Sequence, residues 1–275
     1  MSALNRLRLL TTDAYVKVFG GERARRLNEV VLDMALRARG FGHSGSLRKT
    51  GEAAFIALLA REHVDLCLDI GANCGEYSEE LLQKTGGTVV AFEPLPETYA
   101  RLTMLGARYP GRLITVNKGV GNVDGALDLH WGEDSQLASF SREVLAIEYV
   151  GACNVRSVSV PVTTLDNYFA GEGRVFADRE ITLLKIDTEG FEYEVLQGAR
   201  RTLAERRPRY VQLEFNHHQL LRGHTLYSIS RLLPDYQVHQ ILPGSHGLRA
   251  VRPEDPGTNV FGYANFVLAR PDVRL

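Results

Sequence analysis

The sequence lacks what would cross-link it covalently or draw it to a charged polymer or a bilayer. Its three cysteines, Cys67, Cys74 and Cys153, are an odd set without metal-ligand spacing, which argues against a disulfide framework or a zinc site. Cys67 reads as a small core residue and Cys74 as a loop residue. The formal net charge is only −1, so no long-range field pulls the chain towards nucleic acid, and no nucleic-acid partner is expected. No apolar run approaches the roughly 20 residues needed to span a bilayer. The N-terminal arginines are not followed by a continuous apolar segment, so no secretory signal is read and a cytoplasmic location is expected. Repeats and low-complexity tracts are absent too. What is there, 275 residues of which 44% are hydrophobic, suffices for one large α/β domain with an appendage.

The most informative stretch runs from Val64 to Ser78. Val64 to Ile70 is a short apolar run bounded by glycine, which reads as a buried strand. Gly71 and Gly75 follow, then a helical pattern over Glu76 to Lys84, stopped by Gly86-Gly87. Strand, glycine loop and helix open a parallel α/β sheet, in which ligands sit beyond the carboxyl ends of the strands. The next strand, Thr88 to Phe92, ends at Glu93, an acid placed to accept from both hydroxyls of a ribose. That geometry serves NAD and S-adenosylmethionine (SAM) alike. The glycines separate them, because a dinucleotide site needs G-x-G-x-x-G to admit a pyrophosphate. Here the spacing is G-x-x-x-G, with Asn73 inside the loop and Asp69 at its entrance, poor company for phosphate. SAM, with an ammonium, a carboxylate and a ribose but no phosphate, fits better, with Asp69, Gly71, Asn73, Gly75 and Glu93 as its expected contacts.

Four segments, Asp69-Ile70-Gly71-Ala72-Asn73-Cys74-Gly75, Phe92-Glu93-Pro94, Thr164-Leu165-Asp166 and Leu184-Lys185-Ile186-Asp187-Thr188-Glu189-Gly190-Phe191-Glu192, occur in that order. Together they resemble the FkbM family of SAM-dependent methyltransferases, over roughly Gly51 to Arg270. The resemblance implies a Rossmann-like class I methyltransferase fold with a seven-stranded, mostly parallel sheet. It also implies SAM as cofactor and O-methylation of a sugar, glycolipid or secondary metabolite. In such a fold the loop after the third strand, Leu113 to Val116, borders the adenine, so Asn117 joins the expected cofactor contacts. The chain departs from the family at Asn216, where members often carry a histidine two residues after the Glu214 position.

Residues 1–50 read as a helical cap and 51–275 as the methyltransferase domain. Leu4, Leu7, Leu10, Ala14 and Val18 share one helical face; Leu27, Val30, Val31, Met34 and Ala35 share another after the Gly20-Gly21 break. An amphipathic cap packed on the core or on a second subunit, as in a homodimer, accounts for this pattern. With its arginines it also suits peripheral contact with an anionic membrane surface or a lipid-linked substrate. Ser135 to Val150 is polar and irregular, like a segment that folds over a substrate. Ala126 to Trp131 and Val158 to Val162 read as strands, the latter placed at an edge by Pro161. Ile181 to Ile186 is a core strand ending at Asp187, followed by one helix whose apolar face runs from Phe191 to Leu203. Tyr210 to Phe215 is the next strand, and Gln237 to Leu242 with Asn265 to Leu268 form an antiparallel edge.

Methyl transfer from a sulfonium is an in-line displacement, so positioning supplies most of the acceleration. A hydroxyl acceptor must also lose a proton, which calls for a base. Asp187 ends one strand; Glu214 and His218 follow the next, on one side of an extended chain with Asn216. Asp187, Glu214 and His218 are therefore the candidate catalytic residues, and Glu189 is read as a helix-dipole residue. Asp187, Glu214 and Asn216 are also hard oxygen ligands for Mg²⁺. With no tight acidic pair in the sequence, the expectation is a reaction without metal. His43, His63, His130, His224, His239 and His246 are read as solvated or structural, while His217 stays beside His218 as a base that one of the acids could orient. Two rival readings stay open: a nicotinamide-dependent oxidoreductase, and an inactive SAM-binding partner protein.

Overall fold

The computed structural model describes residues 3–273, with side chains from residue 11 onward. Met1, Ser2, Arg274 and Leu275, and the side chains of Leu4, Leu7 and Leu10, lie outside the described residues. The chain divides into two compact units, Met1–Gly42 and His43–Leu275. The first is a helical pair, Ala3–Phe19 and Arg25–Ala38. Asn28 ties the pair together, donating to the Phe19 carbonyl at 2.8 Å and accepting from the Tyr15 hydroxyl at 2.7 Å. Its apolar stripe of Leu27, Val30, Val31 and Met34 is exposed. No described helix is long and apolar enough to cross a membrane.

The second unit is built on a large sheet. Its strands are β1 (Leu66–Ile70), β2 (Thr88–Phe92) and β3 (Leu113–Val116), then, after a smaller sheet of β4 (Gly119–Val120), β5 (Gly125–Trp131) and β6 (Arg156–Thr163), β7 (Ile181–Ile186), β8 (Tyr210–Phe215), β9 (Gln237–Ile241), β10 (Leu248–Ala250) and β11 (Ala264–Ala269). The large sheet runs β10-β9-β11-β8-β7-β1-β2-β3, and the small one β4-β6-β5. Pairing from β8 through β7, β1 and β2 to β3 is parallel, and β11 enters antiparallel against β8 and β9. β1, β2, β7 and β8 are buried along their whole length, because central parallel strands are covered on both faces and so read as continuous apolar runs. This is the class I methyltransferase arrangement that the motifs imply. The sheet has eight strands instead of seven, since the three-residue β10 adds to the edge strand β9.

The strand order reverses at β1: the chain moves to β2 and β3 on one side and returns through β7 on the other. Such a reversal leaves a crevice beyond the carboxyl ends of the two central strands. Gly71 forms its floor with φ +82, and a Cβ built there would stand 1.8 Å from the Asp187 carbonyl oxygen. The glycine is therefore demanded by the close approach of two chain segments, a reason additional to any ligand. Gly75, at φ +91, similarly faces Leu102 and Leu105 of the helix Pro96–Gly106.

Two local expectations are corrected. The single helix over Phe191 to Leu203 is two, Glu192–Gln197 and Arg200–Glu205. Asp166 of the T-L-D motif caps the second, its carboxylate accepting from the Arg201 and Thr202 N–H groups at 2.9 and 2.7 Å. Gly198, between the helices, lies so close to Gly121 that a Cβ would meet its carbonyl oxygen at 1.9 Å. And β6 is the middle strand of its sheet, not an edge: β4 reaches only Val162 and Thr163, so Pro161 leaves no bond unmade on that side.

Gly71→Ala should lower stability by at least ~1–3 kcal/mol, the scale of a non-glycine residue forced into a disfavoured backbone region, with the carbonyl clash added. Gly86→Ala, at a position with no neighbour within 4 Å and no positive φ, should stay within about 0.5 kcal/mol of the parent. Chemical denaturation of both variants checks this.

Candidate active site

A cavity of about 710 Å³ opens at the carboxyl ends of β1, β2, β7 and β8. One wall is the turn after β1. Gly71 and Ala72 donate their N–H groups to the Phe92 carbonyl at 3.0 and 2.9 Å, which folds the turn over the end of β2. Asn73 then adopts φ +49, a left-handed conformation that asparagine tolerates better than most side chains. Its N–H donates to Glu93 Oε2 at 2.8 Å. Glu93 Oε1 accepts from the Leu95 N–H at 2.9 Å and the Thr98 hydroxyl at 2.8 Å. Both its oxygens thus hold protein groups, and Oε2, with a single donor, keeps acceptor capacity on the cavity side. Burial raises the pKa of Glu93, against the pull of those three hydrogen bonds.

The opposite wall comes from β7 and β8, and the segment after β7 is folded by its own motif. The Glu192 carboxylate accepts from the Thr188 N–H at 2.9 Å, the Thr188 hydroxyl at 3.1 Å and the Gly190 N–H at 3.1 Å. This closed loop puts Glu189 at φ +52 and Gly190 at φ +99. Glu189 is thereby turned away from the helix it precedes, so the dipole role expected of it falls to Glu192 and Glu194, in the first turn of that helix. One carboxylate oxygen each of Asp187, Glu189 and Glu214 lie within 4.8 Å of one another. His218 brings Nδ1 to 2.9 Å from Glu189 Oε2, yet neither ring nitrogen makes a hydrogen bond.

Asn216 organises the β8 side. Its side chain accepts from the His218 N–H at 2.7 Å and its backbone N–H donates to Gln219, a reciprocal cap on the helix His217–Arg222. Its amide nitrogen also donates to Glu214. Burial, then the charges of Glu189 and Asp187, push the Glu214 carboxyl well above its ordinary value; burial and Asp187 do the same to Glu189. Burial lowers His218 instead, leaving a neutral imidazole at neutral pH.

Of the residues singled out from the sequence, Gly71, Asn73, Glu93, Asp187, Glu214 and His218 all line this one cavity. Asp69, Gly75 and Asn117 stand behind it. Asp69 is fully buried, accepting from the Ser78 hydroxyl at 2.7 Å and lying 3.4 Å from Lys185 Nζ. Asn117 donates to the Glu93 and Pro94 carbonyls at 2.8 and 3.2 Å. The structure adds Glu189, Lys185 and Tyr149 to the lining. Lys185 was signalled by a lone charge inside an apolar strand, and Glu189 by the glycine after it, which marks a tight turn. Tyr149 comes from the irregular segment after β5, whose Ser135, Leu137 and Phe140 also face the cavity.

The lining is acidic. Glu52, Glu76, Glu93, Glu133, Asp134, Asp187, Glu189 and Glu214 face it, against Arg101, Lys118 and Lys185. Lys185 is held by Asp187 at 3.1 Å and by Asp69, and Lys118 by Glu172 at 2.5 Å.

The sequence profile of the methyltransferase FkbM domain matches residues 69–237. The chain is 30% identical over 155 residues to the hexuronic acid methyltransferase AglP of Haloferax volcanii. The match takes in 56% of this chain and spans 58% of the relative's length. Among solved structures, an O-methyltransferase from Bacillus cereus in complex with SAH superposes at TM-score 0.43, with 14% identity over 94% of this chain and 97% of that one.

The buried carboxyls give the protein a pH signature. Burial raises Glu192 from its ordinary value to about 7, and Glu52, Glu93, Glu189 and Glu214 move the same way. For an acid whose folded-state pKa exceeds the unfolded one, stability is fully present below the unfolded value and is lost as pH rises through the folded one. Thermal stability should therefore fall between about pH 4.5 and 7. Glu192→Gln should flatten that slope, as measured by melting curves across the range.

Proposed function

The chain belongs to the FkbM methyltransferase family, and from there we propose that it moves the methyl group of SAM to a hydroxyl of a sugar residue, with hexuronic acids as the leading acceptor class. The observation that carries this reading is the meeting, in one cavity, of the glycine turn with Glu93 and the cluster of Asp187, Glu214 and His218. When bound, SAM supplies an electrophilic methyl group on a positively charged sulfur. An acid-rich lining suits a ligand bearing a sulfonium and an ammonium and opposes a pyrophosphate, which disfavours the nicotinamide alternative. Glu76 in the first turn of the helix Glu76–Lys84 adds to that opposition, because it occupies the helix end where a phosphate would sit.

Gly71, Asn73 and the free side of Glu93 Oε2 are assigned to the cofactor. Asp69, Gly75 and Asn117 are assigned a supporting part, holding the turn and the ends of β1 and β2. On the acceptor side, the Asp187 carboxylate is engaged by Lys185 at 3.1 Å. His218, with Nε2 unpartnered, is the proton acceptor. Glu189 beside Nδ1 orients the ring and stabilises it once protonated, while Glu214 and Asp187 position the acceptor hydroxyl. Hexuronic acids lead the acceptor panel because the AglP relative is named for them. The helical unit of residues 1–42 is proposed to serve acceptor access or association, since its exposed apolar stripe and arginines lie outside every cofactor motif.

A methyl-donor assay over hexuronides, neutral glycosides, glycolipids and polyketides tests the reading. Transfer to the hexuronides supports it; SAM binding without transfer to any acceptor would favour the inactive partner protein. His218→Asn should bind SAM within a few-fold of the parent and slow transfer at least ~100-fold, the lower range for lost acid–base catalysis; Asp187→Asn, which removes a positioning contact and no base, should bind SAM alike and slow transfer less. Glu93→Gln should weaken SAM binding by about 1–3 kcal/mol in calorimetry. A chain beginning at His43 should keep its SAM affinity and lose acceptor turnover or its oligomeric state.

A further inference from the structure

We infer that Asp187, Glu189 and Glu214 form a binding site for one divalent cation of the Mg²⁺ or Mn²⁺ kind. The three carboxylates arrive from two strands and one left-handed turn, and present oxygens within 4.8 Å of one another. Neighbouring ligands of an octahedral cation at about 2.1 Å stand roughly 3 Å apart, so the three carboxylates close on an ion by drawing their oxygens inward from the 4.8 Å span. Positive charge nearby is scarce. Lys185 lies 3.1 Å from Asp187 but is shared with the buried Asp69 at 3.4 Å, and the Asn216 amide supplies a dipole to Glu214 in place of a charge.

A separate observation points to a ligand. His218 is 1% exposed and turned into the cluster, with Nδ1 2.9 Å from Glu189, yet both ring nitrogens lack a hydrogen bond. A buried imidazole rarely leaves both unused. The three carboxylates by themselves make a hard-oxygen donor set suited to Mg²⁺ or Mn²⁺, with the His218 ring beside it.

The cluster faces the cavity through Asp187 and Glu189, both only partly buried, so an ion there keeps coordination positions open to the acceptor. A pair of neighbouring acceptor oxygens, two hydroxyls or a hydroxyl and a carboxylate, is the chemistry that would fill them. The cation would also make the hydroxyl more acidic before its proton passes to a base. That use of the ion rests on the methyl-transfer reading; the site itself does not.

The test is Mn²⁺ titration of the full-length, chelator-treated protein, followed by electron paramagnetic resonance without SAM or acceptor. One saturable Mn²⁺ per chain, displaced by Mg²⁺, is expected. Glu189→Gln and Glu214→Gln should each weaken it at least ~10-fold, the lower range for disturbed metal sites, with folding of each variant checked by circular dichroism. Absence of saturable uptake, or equal affinity in both folded variants, would overturn the inference. SAM binding is measured separately by calorimetry. Uptake of SAM without Mn²⁺ defeats the metal site alone; Mn²⁺ uptake without SAM binding defeats the methyl-transfer reading alone.

Discussion

The structure depends on one buried cation. Lys185, in the middle of the sheet, lies 3.1 Å from Asp187 and 3.4 Å from Asp69, with Nζ 4.9 Å from the centre of the Tyr77 ring. Burial pulls its pKa down, but Asp187, Asp69 and Glu52 outweigh that and hold it charged. Leaving one of these charges without its partner in the interior costs about 3–5 kcal/mol. The pairing therefore binds the carboxyl ends of β1 and β7 together where the sheet reverses direction. The network runs on through neutral groups: the Tyr77 hydroxyl donates to Gln212, and Gln212 donates to Glu52 at 2.7 Å. Glu52 in turn accepts from the Thr50 hydroxyl at 2.7 Å. Three helices and three strands are thus tied to the edge of the site by side-chain hydrogen bonds and charge.

This network explains which parts of the fold were legible. Central parallel strands advertise themselves as apolar runs, because burial on both faces leaves little room for polar residues, and so β1, β2, β7 and β8 could be read almost to the residue. The helix after β7 could not be, because its break is imposed from a distance. Asp166 lies more than thirty positions upstream of the N–H groups it caps, and Gly198 is constrained by Gly121 on another element. Periodicity registers neither contact. The place of β6 was missed for a similar reason: Pro161 signals a missing donor, and only the partner's length decides whether that donor was needed.

The site divides along the same line. Glu93, Asp187, Glu214 and His218 were visible because a strand-end acid or histidine needs only local pattern to be placed. Asp69, Gly75 and Asn117 belong to the same motifs and sit just behind the cavity. There Asp69 partners Lys185, Gly75 admits Leu102 and Leu105, and Asn117 ties the ends of β2 and β3. A motif marks a region in which every residue is constrained, and sequence alone does not separate those that face a ligand from those that hold the wall. Asp187 and Glu214 could be expected in one cleft because they leave adjacent strands, but Glu189 was hidden, because the left-handed turn that carries it beside them leaves no mark in the periodicity.

The D-T-E-G-F-E segment shows how a fold can place a costly group with backbone as well as side chains. A glutamate at φ +52 is strained, at a cost of order 1–3 kcal/mol. It persists because Glu192 gathers the Thr188 and Gly190 N–H groups, and Gln219 donates to the same carboxylate from the helix after β8. Gln219 also accepts from the Asn216 N–H, and Asn216 donates to Glu214. One chain of hydrogen bonds therefore fixes the turn that carries Glu189 and the strand end that carries Glu214. The two carboxylates cannot drift apart to relieve their repulsion without breaking a helix cap. Their closeness and their burial, which first of all raises both pKa values, are consequences of packing, and whatever binds in the cavity meets a charge arrangement already fixed before it arrives.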